Sequence, residues 1–293
     1  LVLPLFEGIM KICDLFKQKT VCSFEIFPPK PTTPIQTVYD TLEALKDLSP
    51  DYISVTYGAG GSQSKRTVEI ASLIKNKYGV EPLAHLTALY QTEEGVLEFA
   101  GELKQNGIEN VLALRGDRAP DMEPSGVFRY ASELAAFLKK NTDLNIVGAG
   151  YPEGHFECES LEKDTYCLAR KIEAGVTHIN TQLFFDNSDF YSFIERIRKA
   201  GITVPVQAGI MPIVKKQQID RIISLSGAKV PAPLARILAK YSDNPDALYS
   251  AGIAYATAQI VDLLSQGVDG IHLYIMNRPD VARKLKENIS TLF

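Results

Sequence analysis

One carboxylate stands inside an apolar run: Glu25, between Phe24 and Ile26 in SFEIFPPK. A carboxyl facing inward there resists ionisation, because desolvation penalises the charged form. A glutamate with a raised pKa is a general acid usable near neutral pH. An outward-facing Glu25 paired with a helix lysine is the plain alternative, and the residue alone does not separate the two. Pro28 and Pro29 then end the run and fix the following loop. ALRGD supplies a second set. Gly116 lets backbone approach a ligand, Asp117 follows a strand end, and Arg115 can bond a phosphate or a planar ring edge. A turn with Asp117 as an N-cap is the competing reading. The RGD tripeptide is also an adhesion motif, which fits poorly with the rest of this chain.

Other polar groups share this placement. SVTYGAGGS, residues 54–62, sets glycines behind a β-branched run, as phosphate-cradling turns do. No Lys-Ser/Thr follows in Walker spacing, and G-x-G-x-x-G is absent. The loop therefore reads as one wall of a pocket, with Thr56 and Tyr57 facing the ligand. LEKDTYCLARKIEAG reads as a helix with Arg170 and Lys171 beyond Asp164. That is a solvated face or an anion-binding one. Gln182 in TQLFFD sits in an apolar run, where a buried amide needs partners. His85 in AHLTA is most simply a satisfied core residue. The histidines (85, 155, 178, 272) show no H-E-x-x-H spacing, and no G-x-S-x-G elbow occurs. Cys13, Cys22, Cys158 and Cys167 form no C-x-x-C. His155 near Cys158 and Cys167 raises a metal cluster, but separate thiols in a reducing compartment fit better.

Eight short apolar runs must position these groups: 21–27, 52–57, 82–88, 110–116, 145–151, 178–185, 205–211 and 270–276. Amphipathic stretches separate them. In TVYDTLEALKDL, Val38, Leu42, Leu45 and Leu48 recur at helical spacing. Eight βα units predict an α/β protein, a (β/α)8 TIM barrel, as a single domain. An open doubly wound sheet is the main competitor. The division expected is a short N-terminal arm and helix over 1–20 and the barrel over 21–293. An extra stretch in the seventh unit, GAKVPAPLARILAKYSD, is expected to cover one rim. Barrel chemistry gathers at the C-terminal strand ends. There the runs place Glu25, Thr56-Tyr57-Gly58, His85, Arg115-Gly116-Asp117, Tyr151, Gln182, Gln207 and Asn277-Arg278.

With 45% hydrophobic and 23% charged residues, the chain has an ordinary globular composition. A net charge of −4 without a basic block argues against nucleic acid as a partner. No apolar run is read as a membrane span, and LVLPLFEGIM is read as an arm rather than a signal peptide, so the expected location is cytoplasmic.

SFEIFPPK, SVTYGAGGS, AHLTA, LALRGD, YPEGH, TQLFFD, GIMP and NR occur in an order and spacing that resemble the methylenetetrahydrofolate reductases. The resemblance runs from about Val21 to Arg278, and it is to the short bacterial form, a catalytic barrel alone. It implies a flavoprotein of one-carbon metabolism and methionine biosynthesis. Such an enzyme holds FAD and reduces 5,10-methylenetetrahydrofolate to 5-methyltetrahydrofolate by a ping-pong route. It implies NADH or NADPH as donor, or a partner redox subunit, and a homo-oligomer. Motif by motif, it implies Glu25 as the acid that helps open the folate ring, and Asp117 beside flavin and pterin. It places FAD against Thr56, Tyr57, Ala59, His85, Arg115, Gly116, Asp117, Tyr130, Ala131, Tyr151, His155, Asp164, Arg170 and Lys171. Gln182, Gln218 and Arg278 would meet folate or nicotinamide. Cys158 and Cys167 depart from the family pattern and bear on flavin affinity. Two other readings compete. A barrel lyase would need a Schiff-base lysine or a metal cluster, and neither is found. A non-catalytic subunit binding FAD or folate as a scaffold would not need Glu25 and Asp117; a flavin- and folate-binding barrel subunit of a larger redox complex, fed by a partner rather than directly by NADH or NADPH, is the alternative within the resemblance.

Overall fold

The computed structural model describes residues 11–29, 32–57, 64–119 and 122–293. Eight parallel strands close into a barrel in sequence order: β1 (Val21–Ile26), β2 (Tyr52–Val55), β3 (Glu81–Thr87), β4 (Asn110–Leu114), β5 (Asn145–Gly150), β6 (Val176–Thr181), β7 (Val206–Ile210) and β8 (Gly270–Tyr274). Closure is the β1–β8 pairing, which sets Ser23 opposite His272 and Glu25 opposite Tyr274. The strands are buried along almost their whole length, as a parallel sheet covered on both faces requires.

Among the described residues, ten helices cover the barrel: α1 (Gln36–Leu45), α2 (Ser64–Asn76), α3 (Glu93–Gln105), α4 (Ala131–Asn141), α5 (Leu161–Glu173), α6 (Asn187–Lys199), α7 (Lys216–Ser226), α8 (Ala232–Tyr241), α9 (Pro245–Ser265) and α10 (Pro279–Ile289). Alternate strand residues point outward into the helices. Phe24, Ile26, Ile53, Val55, Leu86 and Val111 share one core with Val38, Leu42, Ile74, Val96 and Leu285. Fully buried side chains of this kind stabilise by about 1.5–3 kcal/mol each. The opposite alternation points inward. Val21, Tyr52, Leu83, Leu112 and Val147 pack with Ile12 and Leu15 of a 3-10 turn, Ile12–Lys17. That turn stoppers the N-terminal mouth: Ile12 N donates to Asn110 Oδ1 at 2.9 Å, and the Phe16 ring lies 4.8 Å from that of His178. Of the expected N-terminal arm, 1–10 lie outside the described residues.

Three expectations are refined. The apolar runs overshoot the strands; the largest overshoot is at β6, which ends at Thr181 rather than 185. Leu183 and Phe185 stay buried, but in a rim cluster with Met211, Ile213, Ile222, Ala228 and Leu234. Burial, not pairing, made them apolar. The extra stretch of the seventh unit is α8, with Pro231 just before it, and Leu234 pins it to that rim. Finally, α9 is long and apolar enough by length and composition to cross a membrane, which the run-by-run reading missed. Here it is a helix of the outer ring, packed on α8, α10 and β7.

Candidate active site

Glu25 points into the barrel near the C-terminal end of β1 and is 6% exposed. Three strands present polar groups to one of its oxygens. Ser54 Oγ on β2 donates to Oε2 at 3.3 Å. His272 Nε2 on β8 and His85 Nε2 on β3 each lie 3.5 Å from it. His85 Nε2 is buried and makes no hydrogen bond among the described residues, so among them it is not the satisfied core histidine of the plain reading. On the far side of His272, Nδ1 lies 2.7 Å from Ser23 Oγ.

The inward carboxylate is as expected, but its titration is not. Burial pushes the Glu25 carboxyl up. The His272 hydrogen bond, the His85 and His272 charges and the Ser54 hydrogen bond together outweigh it, so Glu25 sits below the ordinary glutamate value. Burial, meanwhile, pushes His85 down to about 4. Desolvation can be read from one strand; three neighbours from three other strands cannot.

A second group lies around the ends of β4 and β5. Arg115 forms a bidentate pair with Glu157, whose carboxylate raises the guanidinium's pKa. Gly116 is left-handed, at φ +86°, and a Cβ there would stand 2.9 Å from Thr87 Cβ, so this turn requires glycine. Asp117 is exposed in a loop well before α4 begins, so it caps no helix. Tyr130 and Ala131 form the N-terminus of α4. The Tyr151 ring meets His155 edge-on at 4.6 Å; burial pushes its hydroxyl up to about 12. Burial likewise lowers His155 and raises Asp164, which accepts from His155 N at 3.4 Å. Ser160 caps α5, with Lys163 N donating to its hydroxyl, and so sets the helix that carries Asp164 and Lys171.

The structure separates Arg170 from Lys171. Lys171 is half-buried; its Nζ donates to Ala149 O at 2.8 Å, and desolvation lowers its pKa. Arg170 is exposed and pairs with Glu173 at 3.0 Å, the solvated-face reading.

Other positions fall around the rim. Thr56 N donates to Ile26 O at 3.1 Å, and Tyr57 OH accepts from Gln91 Nε2 at 3.0 Å. Ala59 and most of the glycine-rich loop, 58–63, lie outside the described residues. Gln182 is not in a strand; it follows β6, and its Oε1 accepts from Leu183 N. Gln218 Oε1 accepts from the backbone of Val214 and Lys215, at the entry to α7. Arg278 pairs with Asp280, its guanidinium 5.4 Å from the Tyr249 ring centre. Gln207 is a correction: it is the second residue of β7, deep in the barrel and not at the strand's C-terminal end. The residues missed are His272, Ser23 and Ser54; Asn277 was expected at the end of β8 and lies just beyond it. The Asn277 side chain bonds both Phe27 N and Phe27 O at 2.8 Å, tying the β1 loop to β8, and Met276 and Asn277 are both left-handed at φ +53°. A histidine inside the apolar run GIHLYIM was the one available signal. Among the described residues, no cluster could hold a metal ion.

The sequence profile of the methylenetetrahydrofolate reductases matches residues 9–290. The chain belongs to this family. It is 34% identical over 260 residues to the 5,10-methylenetetrahydrofolate reductase of Escherichia coli, covering 89% of this chain and 87% of that one. It is 34% identical over 288 residues to methylenetetrahydrofolate reductase (NADH) 1 of Arabidopsis thaliana, covering 92% of this chain but 49% of the plant protein. This member of the family thus spans about half the length of its plant relative. Among solved structures, it superposes with a TM-score of 0.68 on an uncharacterized Clostridium thermocellum protein described as binding two copies of 5-methyl-5,6,7,8-tetrahydrofolic acid. That match covers 95% of this chain and 98% of the other at 12% identity, so it shows a shared fold.

Proposed function

We propose that this reductase-family chain converts 5,10-methylenetetrahydrofolate to 5-methyltetrahydrofolate, with electrons delivered through FAD in a ping-pong cycle. The observation that carries the reading is the buried carboxylate Glu25, held by His272, His85 and Ser54 at the end of the barrel where such folds do chemistry.

FAD suits the residues present. Lys171 is a half-buried ammonium with three donors, of which Ala149 O takes one, so donors remain for an anionic diphosphate. The N-terminus of α4, at Tyr130 and Ala131, favours negative charge beside it. Arg115, Gly116, Asp117, Tyr151, His155 and Asp164 complete the wall, with Thr56, Tyr57 and His85 across the mouth. When bound, FAD would take a hydride from the donor and give one to the folate.

The chain's own part is placement and proton supply. Glu25 stands where a folate nitrogen can take a proton as the five-membered ring opens. Its pKa is held below the ordinary glutamate value in the free protein, so the deliverable proton is the one Glu25 gains as pH falls. Asp117, exposed at the rim, is free to meet the pterin. Gln182, Gln218 and Arg278 border the same mouth. The donor is NADH, NADPH or a partner redox subunit.

The visible spectrum tests this. A flavin band that bleaches anaerobically with 5-methyltetrahydrofolate supports the reading. Flavin-reconstituted protein that neither bleaches nor turns over refutes it. Bleaching by NADH, by NADPH and by a reduced low-potential carrier, compared side by side, identifies the donor.

A further inference from the structure

Gln207 is wholly buried, and every atom of its amide has an assigned role. Nε2 lies 3.1 Å from Ile271 O, 3.4 Å from Val21 O and 2.9 Å from Ser23 Oγ. Backbone carbonyls only accept, so the amide must turn its NH2 to them and its oxygen the other way. That oxygen accepts from Tyr52 OH at 2.5 Å, and the same hydroxyl accepts from Asn180 Nδ2 at 2.8 Å. A Cβ at Gly270 would stand 2.6 Å from both Gln207 Cγ and Val21 O, so glycine there clears the lane along which Gln207 runs.

The amide's orientation propagates. Ser23 Oγ accepts from Gln207, so its single proton goes to a neighbouring acceptor; the Tyr52 hydroxyl beside it already accepts from Asn180, which leaves His272 Nδ1, 2.7 Å away. Nδ1 then accepts. In a neutral imidazole the ring proton is left on Nε2, the nitrogen 3.5 Å from Glu25 Oε2.

We propose that Gln207 is a positioning residue that, through Ser23, fixes neutral His272 in the tautomer presenting Nε2–H to Glu25. This rests on the reading of Glu25 as the proton donor to folate. Gln207 has no contact with Glu25; it acts by choosing which end of His272 carries the proton. The titratable groups facing the pair are His85 on β3, Tyr52 on β2, Tyr274 on β8 and His178 on β6. None of them makes a hydrogen bond to either ring nitrogen of His272 among the described contacts.

The test is long-range proton–nitrogen correlation NMR of the nitrogen-15-labelled full chain, with His272 assigned by the loss of its signals in His272→Gln. With the pH raised until the ring is neutral, the wild type is expected to show His272 protonated on Nε2; protonation on Nδ1 overturns the proposal whatever Glu25 does. In Gln207→Met, Ser23 loses its donor and can accept from His272, so the Nδ1–H form is expected to appear; an unchanged tautomer overturns the proposal. Gln207→Leu, which likewise removes the donor to Ser23 and keeps its hydroxyl, carries the same expectation should Gln207→Met fail to fold. In either variant the acid-favoured limb of the folate half-reaction should move up by about one pH unit, as Glu25 loses a donor to its charged form. A switched tautomer with an unmoved limb overturns the positioning role. If that limb also survives Glu25→Gln, the acid reading itself has failed.

Discussion

His178 should make the fold refuse a proton that the unfolded chain accepts. It is fully buried at the stoppered end of the barrel, its Nε2 makes no hydrogen bond among the described residues, and its ring packs against Phe16. Burial and the charge of His272 push its pKa down to about 3. The unfolded imidazole titrates near 6.5. Because the folded value is the lower one, the unfolded state binds more protons between these limits, and stability falls as pH falls below about 6.5. Between pH 8 and pH 5 the unfolded form gains about 2 kcal/mol from this residue, roughly a 30-fold change in the folding equilibrium. His178→Leu removes the term. Thr177 Oγ1 still reaches Asn145 Oδ1 and Ile146 O, so no hydroxyl is orphaned. The assay is urea unfolding of both proteins at pH 8 and pH 5. The wild type should lose about 2 kcal/mol more than the variant over that interval. His85, also pushed down, acts equally on both proteins and cancels in the difference. Equal losses would show that the fold accepts a proton on His178, and would refute the reasoning.

Other outcomes follow from the site. Glu25→Gln should leave flavin reduction by the donor within about twofold and slow folate reduction by about 10²–10⁴; stopped-flow absorbance separates the half-reactions, and equal losses in both would contradict the acid role. In the wild type, the folate half-reaction should slow as pH rises, because Glu25 loses its deliverable proton, and Glu25→Gln should flatten that profile. Lys171→Met should weaken FAD binding by about 10–100-fold, the worth of a charge-assisted hydrogen bond, while Arg170→Met should change it by less than about twofold. Flavin fluorescence titration reads both, and comparable losses would return Arg170 to the binding face. Ile12→Ala in the stopper should destabilise by about 2–5 kcal/mol, read from urea midpoints; a negligible loss would show that the turn is not part of the folding unit.

The strands and most helices could be read from the sequence because burial imposes its period directly on residue type. Val38, Leu42 and Leu45 face the barrel at helical spacing, and Phe24 and Ile26 alternate with Ser23 and Glu25. Where the reading overshot, at Leu183 and Phe185, the residues are apolar for a different reason: they seal the rim against α8 rather than extend β6. Glu25 stood out because a charge in an apolar run is costly unless it is used. Its partners did not, because each is ordinary in its own segment. Ser23 and His272 become neighbours only when β1 closes on β8, 249 positions apart, and that register is a property of the whole barrel. The same limit explains the error in Glu25's titration. Desolvation is local and was inferred with the correct sign, but the donors that outweigh it come from β2, β3 and β8. Gln207 carries the point furthest. At a strand end its amide would have met a ligand; one layer deeper, fixed between carbonyls, it serves to aim a histidine. In a closed barrel, a polar residue's depth along its strand therefore decides whether it binds or positions, and depth is set by pairing rather than by the residue's own sequence neighbours.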